Sequence, residues 1–157
     1  MIEKNPNAQA SILDRLLDYD PRVAGEPVQS RISVRQIKDA VIRDLENLLN
    51  TRRQILLPPP EYNEVLNSLY MYGLQDFTMK NPASPMVKQK LRQVIERTIS
   101  RFEPRLKNVA VQIEAPGTNA RNLRFRITAI LVIDPITEPV TFDTFFDVGR
   151  GDYKIQR

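Results

Sequence analysis

The sequence predicts an α+β fold in which N-terminal helices pack on one face of a C-terminal three-stranded antiparallel meander. Up to about residue 102, apolar residues recur every three or four positions, which is typical of amphipathic helices. After Pro104 they alternate with polar residues, which is typical of strands with one buried face. Because proline does not continue a helix, residues 101–106 mark the junction between the helical part and the sheet.

The chain of 157 residues is predicted to form one domain. A chain of this length buries about 70% of its extended surface on folding, which is enough for a hydrophobic core. We expect residues 1–10 to be a flexible N-terminus, residues 11–148 to form the domain, and residues 149–157 to be a mobile polar tail.

Capping residues indicate where the helices begin. Ser11 and Ser33 each precede an amphipathic run, and Gln36 completes a capping box with Ser33. Ser84 followed by Pro85 is an equally strong start, because proline at the first helical position loses no helical hydrogen bond. The sequence therefore predicts helices over residues 11–18, 33 to about 51, 61 to about 70, and 84–102.

The segment around the third of these helices has two open interpretations. Residues 58–60 are three prolines, which form a rigid spacer or a proline-rich ligand for another domain. Tyr70 and Tyr72 are predicted to pack in or around the core, and a stacking surface for nucleic acid is the alternative. Gly73 is predicted to end this helix in the left-handed conformation, with Leu74 packed behind it.

Three strands are predicted from the alternation in the second half of the chain. Their apolar positions are Leu106, Val109, Val111 and Ile113; Leu123, Phe125, Ile127, Ala129, Leu131 and Ile133; and Val140, Phe142, Thr144, Phe146 and Val148. Such a sheet has its first and third strands at the edges, and neither carries a strongly protective residue. Either edge, including Thr144 on the third strand, is therefore a candidate for adding a strand from a partner.

Composition excludes several kinds of chemistry. The chain has no cysteine and no histidine, which removes disulfides, Cys/His zinc sites, cysteine nucleophiles and triads with an imidazole base. We expect no cofactor, no metal site and no catalytic residue. The net charge of +4 is mild and acidic residues are interspersed, so no nucleic-acid partner is expected. The sequence has neither an apolar run of roughly 18 residues nor an apolar N-terminus, which predicts a cytoplasmic protein without membrane insertion.

Several charged residues are candidates for partner contacts. Arg52 closes the first long helix, where it complements the helix dipole or contacts a partner. The helix over residues 84–102 has a basic face that is either solvated or meets an acidic partner surface. At its end, Arg101, Glu103, Pro104 and Arg105 form a charged corner in which Glu103 and Arg105 are close enough to hydrogen-bond each other or a partner.

Three of these segments, taken together, resemble a known family. Residues 48–52 (LLNTR), residues 68–74 (SLYMYGL) and residues 103–106 (EPRL), followed by the strand meander, are similar to the TssE baseplate subunits of type VI secretion systems. Those subunits belong with the small wedge proteins of contractile phage tails that carry the domain name "lysozyme-like". The resemblance covers residues 13–148. The sequence departs from it at residues 70–71 (YM), where relatives often have leucine and asparagine.

The resemblance implies a structural part of a cytoplasmic baseplate. It implies docking on the wedge subunits TssF, TssG and TssK through Glu103, Pro104 and Arg105. It also implies that the sheet templates a contractile sheath of TssB and TssC by strand exchange. We expect Arg101, Arg52, Tyr72, Gly73 and Thr144 to contribute to these partner contacts.

The family label leaves a peptidoglycan-cleaving glycosidase as the alternative. Such an enzyme needs two carboxylates about 5 to 9.5 Å apart, one of them protonated as a general acid. Glu103 is the candidate acid, with Glu96 or Asp76 as the second group. Because Arg105 favours the ionised form of Glu103 and no motif fixes the second carboxylate, the sequence predicts a protein that is not an enzyme.

Overall fold

The computed structural model describes residues 33–76, 84–114, 122–133, 136–147 and 150–156. Its helical elements are α1 (Val34–Asn50), the one-turn helix α2 (Asn63–Leu66), a 3-10 turn at Leu69–Met71 and α3 (Pro85–Phe102). Its strands are β1 (Leu106–Ile113), β2 (Asn122–Ile133), β3 (Ile136–Asp147) and β4 (Asp152–Gln156). The predicted α+β class is correct. The helix predicted over residues 11–18 lies outside the described residues.

Helix α1 begins at the predicted capping box. The backbone N–H of Gln36 donates to Ser33 Oγ at 3.3 Å, and the N–H of Ser33 donates to Gln36 Oε1 at 2.9 Å. These two bonds satisfy backbone donors that a helix start leaves unpaired. The buried face of α1 consists of Ile37, Ala40, Val41, Ile42, Leu45, Leu48 and Leu49.

Helix α3 also matches its prediction, whereas the helix expected over residues 61–70 is shorter. Pro85 is the first residue of α3, and Leu91, Ile95 and Ile99 are buried against the core. In the 61–70 segment, the Ser68 hydroxyl donates to the carbonyl of Val65 at 2.8 Å and accepts from the backbone N–H of Tyr70 at 3.2 Å. This local bonding replaces the helical ladder, so the segment divides into α2 and the 3-10 turn.

The sheet is antiparallel with the order β1-β2-β3-β4. Strand β2 places Leu123, Phe125, Ile127, Ala129, Leu131 and Ile133 towards the helices, as its alternation predicts. In β1 the apolar residues Leu106 and Val109 are three apart, which breaks the alternation. A bulge between Lys107 and Ala110, with Asn108 at a φ of 53°, takes up the extra residue and returns Val111 to the core.

The prediction of three strands is wrong, because residues 152–156 form the fourth strand. The expected polar tail instead pairs with β3, from Asp143 opposite Gln156 to Asp147 opposite Asp152. Tyr153 and Ile155 are buried in the core cluster. Their two-residue alternation was the signal in the sequence, and it is short because β4 has only five residues. None of the helices in the described part of the chain is long and apolar enough to cross a membrane.

Candidate partner-binding site

The charged corner lies in the turn between the end of α3 and the start of β1. Glu103 caps α3 by donating its backbone N–H to the carbonyl of Ile99 at 2.8 Å, and its own carbonyl accepts from Leu106 at 3.1 Å. Pro104 is exposed at the tip of this turn, whereas Glu103 is only 4% exposed. The turn therefore presents proline outwards and turns the glutamate inwards.

Glu103 and Arg105 form the contact that the sequence allowed. Arg105 donates from Nε to Glu103 Oε1 and from Nη2 to Glu103 Oε2, both at 2.6 Å. The same Nη2 donates to Asp44 Oδ2 of α1 at 2.6 Å. Arg105 is thus held by two carboxylates, Asp44 on α1 and Glu103 at the end of α3. The structure therefore replaces Arg101 of the predicted corner by Asp44, and from here the corner means Asp44, Glu103, Pro104 and Arg105.

The corner is electrostatically fixed. The hydrogen bond to Glu103 is the main cause that raises the pKa of Arg105 above its ordinary value, so its guanidinium stays charged. Burial raises the pKa of the neighbouring Tyr72 phenol, and the charges of Asp44 and Glu103 act in the same direction. The Tyr72 ring packs edge to face on Phe102 with their centroids 5.3 Å apart. Tyr72 therefore supports the corner from the core side, which agrees with its predicted packing role.

The corner keeps one donor group for a partner. Arg105 Nη1 has no hydrogen bond to any described residue, and the side chain is 28% exposed. A guanidinium nitrogen of this kind can donate to a carbonyl or a carboxylate of another protein. Asp44 is a member of this site that sequence reasoning missed, because no local pattern relates α1 to a residue after α3.

Two other predicted residues lie at the junction of residues 51–53 with residues 73–76. Gly73 has a φ of 96°, and a side chain there would collide with the carbonyl oxygen of Thr51. That oxygen accepts from the N–H of Leu74 at 2.8 Å, which explains the close approach. Arg52 pairs with Asp76 at 3.3 Å, and its side chain is 70% exposed. The left-handed conformation predicted for Gly73 is confirmed.

Arg101 and Thr144 also have separate surroundings. Arg101 is exposed and donates from Nη1 to the carbonyl of Leu66 at 2.9 Å. Thr144 is 3% exposed and lies between Phe125 of β2 and Ile155 of β4. The expectation that Thr144 lies at a free edge is wrong, because β4 covers that part of β3. The structure therefore brings Glu103, Pro104 and Arg105 together with Tyr72 nearby, but not Arg52, Arg101 or Thr144.

The outer edges of the sheet are capped by helix side chains. At β4, the N–H of Tyr153 donates to Asn50 Oδ1 at 2.7 Å, and the N–H of Ile155 donates to Glu46 Oε1 at 3.0 Å. At β1, the N–H of Val111 donates to Glu96 Oε1 at 2.9 Å. The expectation that the edges carry no protection is therefore wrong: these side chains occupy positions that a partner strand would need.

The direction of these caps fixes which backbone groups face outwards. In an antiparallel pair a residue directs its N–H and C=O to the same side, and the sides alternate along the strand. Since Ile155 faces outwards, its opposite residue Thr144 directs its N–H towards β2. Pro139 and Thr141 then face away from β2, in the half of β3 that β4 does not cover. Pro139 fits there because its missing N–H breaks no ladder bond.

The carboxylates considered for catalysis are all engaged elsewhere. Both oxygens of Glu103 bind Arg105, Glu96 caps Val111, and Asp76 pairs with Arg52. A general acid needs a proton that it can release to a substrate, whereas Glu103 is buried and holds a cation. Among the described residues, no group of three or more acidic side chains is placed to hold a metal ion.

Fold and site together define the class: a small α+β domain whose helix and sheet layers are joined by a partly buried ion network, with an exposed proline beside it. The family model described as baseplate wedge protein gp25 matches residues 35–136, which is more than half of the chain. The chain therefore belongs to the baseplate wedge family, the family of the TssE subunits, and the resemblance found in the sequence is confirmed. The match includes the whole corner and Gly73. A comparison with curated proteins finds no significant match.

The family gives the coarse role directly. Members of the baseplate wedge family are structural components of contractile-tail baseplates, and that role agrees with a protein that is not an enzyme.

Proposed function

We propose that this protein is the TssE-type subunit of a type VI secretion baseplate and works as a structural, non-enzymatic part in the cytoplasm. It docks on the wedge subunits TssF, TssG and TssK and gives the TssB and TssC sheath a starting surface. The observation that carries the proposal is the family match over residues 35–136, because it contains the corner with its preorganised arginine.

Docking uses the exposed half of the corner. Glu103 and Asp44 hold the Arg105 guanidinium in one orientation, so little side-chain entropy is lost when a partner binds it. Pro104 adds a rigid, exposed surface beside it. Glu103 acts as a positioning residue, because it is buried and its oxygens are taken.

The test is co-purification with TssF and TssG. Arg105→Ala is expected to remain folded and to lose at least tenfold in recovered wedge subunits. Arg105→Lys is expected to lose most of the binding as well, because an ammonium lacks the planar fork that satisfies Glu103 and a partner together. Arg124→Ala, at an exposed position on β2, is the matched control. Wild-type recovery by both Arg105 variants would sink the docking proposal.

Sheath templating uses strand addition at the outer edge of β1. That edge has one capped donor, Val111, whereas β4 has two, so fewer internal bonds must be replaced there. By the same alternation, Ile113 also directs its N–H outwards. The incoming sheath segment displaces Glu96 and pairs with Val111 and Ile113.

A pair of proline variants tests this edge. Ile113→Pro removes an outward donor of β1 and is expected to reduce sheath recruitment at least fivefold. Thr141→Pro makes the same change on the uncovered half of β3 and is expected to leave recruitment unchanged. Recruitment would be scored as TssB and TssC assembled on purified baseplates. The opposite ranking of the two folded variants would move strand addition to β3.

Enzymatic activity is tested directly with purified protein and peptidoglycan. We expect no release of soluble fragments. Release that disappears in Glu103→Gln would contradict the non-enzymatic role.

A further inference from the structure

Residues 55–70 form an arm with an unusual surface. Seven of the nine large hydrophobic side chains that are exposed in the described residues lie on it. They are Ile55, Leu56, Leu57, Tyr62, Val65, Leu69 and Tyr70. Single exposed apolar residues are ordinary, but a concentration of this kind marks a surface that another molecule covers.

Polar bonds hold the arm in place. The Tyr70 hydroxyl donates to the carbonyl of Leu56 at 2.9 Å, which ties the two ends of the arm together. Arg101 Nη1 donates to the carbonyl of Leu66, which ties the arm to α3. The backbone is thus fixed without burial of the apolar side chains. A partner that binds them has less ordering entropy to overcome.

A positively charged hollow of about 500 Å³ lies between the arm and α3. It is lined by Asn67, Glu96, Arg97, Ser100 and Arg101. Glu96 uses Oε1 to cap Val111, and Arg97 has no ion pair with any residue in the described ranges. The arm's own carboxylates, Glu61 and Glu64, are exposed and are not paired with either arginine.

We infer that the arm and this hollow together bind an acidic amphipathic segment of a partner protein. Its apolar side chains cover Leu56, Leu69 and their neighbours, and its carboxylates lie on the open hollow, where they meet Arg97 and Arg101. Protein fits better than nucleic acid because most of the exposed arm residues are aliphatic, whereas nucleic acid uses aromatic stacking between closely spaced cations. This surface does not include the corner. It shares Glu96 with the edge of β1, where Glu96 caps a backbone N–H, but the inference rests on the arm, Arg97 and Arg101 and on neither of the two proposed contacts.

Site-specific photo-cross-linking in cells with the assembled machine tests the inference. A benzoylphenylalanine is placed at Leu56 or at Leu69, and the cross-linked peptide is sequenced. Both positions are expected to capture the same segment of another protein, with more Asp and Glu than Lys and Arg. The same probe at Val132, exposed on β2, is the positional control and is expected not to capture it.

Charge variants sharpen the result. Arg97→Glu is expected to reduce the cross-link from Leu56 at least tenfold. Lys90→Glu, exposed on α3 but not lining the hollow, is expected to change it less than twofold. Equal effects of the two variants would show general charge attraction and overturn the assigned hollow.

Four other outcomes would overturn the inference: capture of nucleic acid, of a second copy of this chain, of residues 1–32 of the same chain, or of a basic segment. Absence of any cross-link from both arm positions would do so as well. If Arg105→Ala lost wedge binding while the wild-type protein still gave the expected cross-links from the arm, docking by the corner would be supported and the inference about the arm would stand.

Discussion

The corner and the arm divide charge and burial in opposite ways. The corner is built from charged residues, yet Glu103 is almost fully buried and bonded within the chain. The arm is largely aliphatic, yet Ile55 is 97% exposed and Leu69 is 80% exposed. Folded proteins generally bury aliphatic side chains and leave carboxylates in water. Both regions depart from that rule, and they do so for different reasons.

The difference separates residues that build the domain from residues that are available to partners. Breaking the corner leaves a buried group without its bond, so changes there reduce stability as well as docking. The exposed arm side chains gain almost nothing on folding, so their apolar surface remains to be buried on binding. Motif residues such as Glu103 are therefore not the first place to look for direct contacts.

The largest expected effect comes from Gly73, at the base of the arm. Gly73→Ala combines a left-handed backbone with a collision against Thr51, and we expect a loss of roughly 3–4 kcal/mol in the free energy of unfolding. Gly151→Ala is the matched control: its φ is 71°, but nothing lies near the added methyl, so about 1–2 kcal/mol is expected. Urea denaturation measures both. Equal losses would show that the base of the arm is not tightly packed against α1.

The corner is expected to contribute less than that junction. Glu103→Ala removes the three hydrogen bonds that Arg105 donates to this carboxylate, two from the guanidinium and one from the backbone N–H, and should cost about 1.5–3 kcal/mol. Asp44→Ala removes one bond from Arg105 and two longer bonds from Arg43. Because this carboxylate is more exposed than that of Glu103, the change should cost about 0.5–1.5 kcal/mol. Chemical denaturation of the two variants gives the ranking. The reverse order would make Asp44 the main support of Arg105.

Much of this architecture could be predicted because local patterns of apolar residues in the sequence indicate it. Helices α1 and α3 and strand β2 have long, regular patterns, and the capping box at Ser33 is a local signal. Strand β4 has two apolar residues in five, too few to separate it from a polar tail. Its formation depends on pairing with β3 and on the caps supplied by Glu46 and Asn50.

The candidate site divides in the same manner. The contact between Glu103 and Arg105 joins residues that are two apart in sequence and could be predicted from the turn at Pro104. The contact with Asp44 joins elements that are far apart in sequence, and so does the cap that Glu96 places on Val111. The exposure of the arm could not be predicted locally either. Leu69 fits an amphipathic pattern in the sequence, and only the position of the core shows that its side chain is exposed.

A pH titration compares a corner tyrosine with an arm tyrosine. The folded-state pKa of Tyr72 is raised above 10.0 by burial and by the charges of Asp44 and Glu103. Its contribution to stability is therefore complete below pH 10 and is lost as the pH rises through the folded-state value. Tyr72→Phe is expected to lose less stability than the wild type over this alkaline range. Tyr62→Phe, at an exposed position on the arm, is the control. If both variants lost equally little stability over this range, the corner would not be the cause of the effect.

The smallest effect on stability is expected in the arm itself. Leu69→Ser should change the free energy of unfolding by no more than about 0.5 kcal/mol, because the side chain is already in water. The same variant should weaken capture of the acidic segment from the Leu56 probe at least fivefold, whereas Val132→Ser should not. Denaturation and cross-linking on the same preparations provide both values. If Leu69→Ser instead lowered the free energy of unfolding by more than about 1 kcal/mol, Leu69 would be part of the hydrophobic core, and the apolar surface of the arm would not be available to a partner.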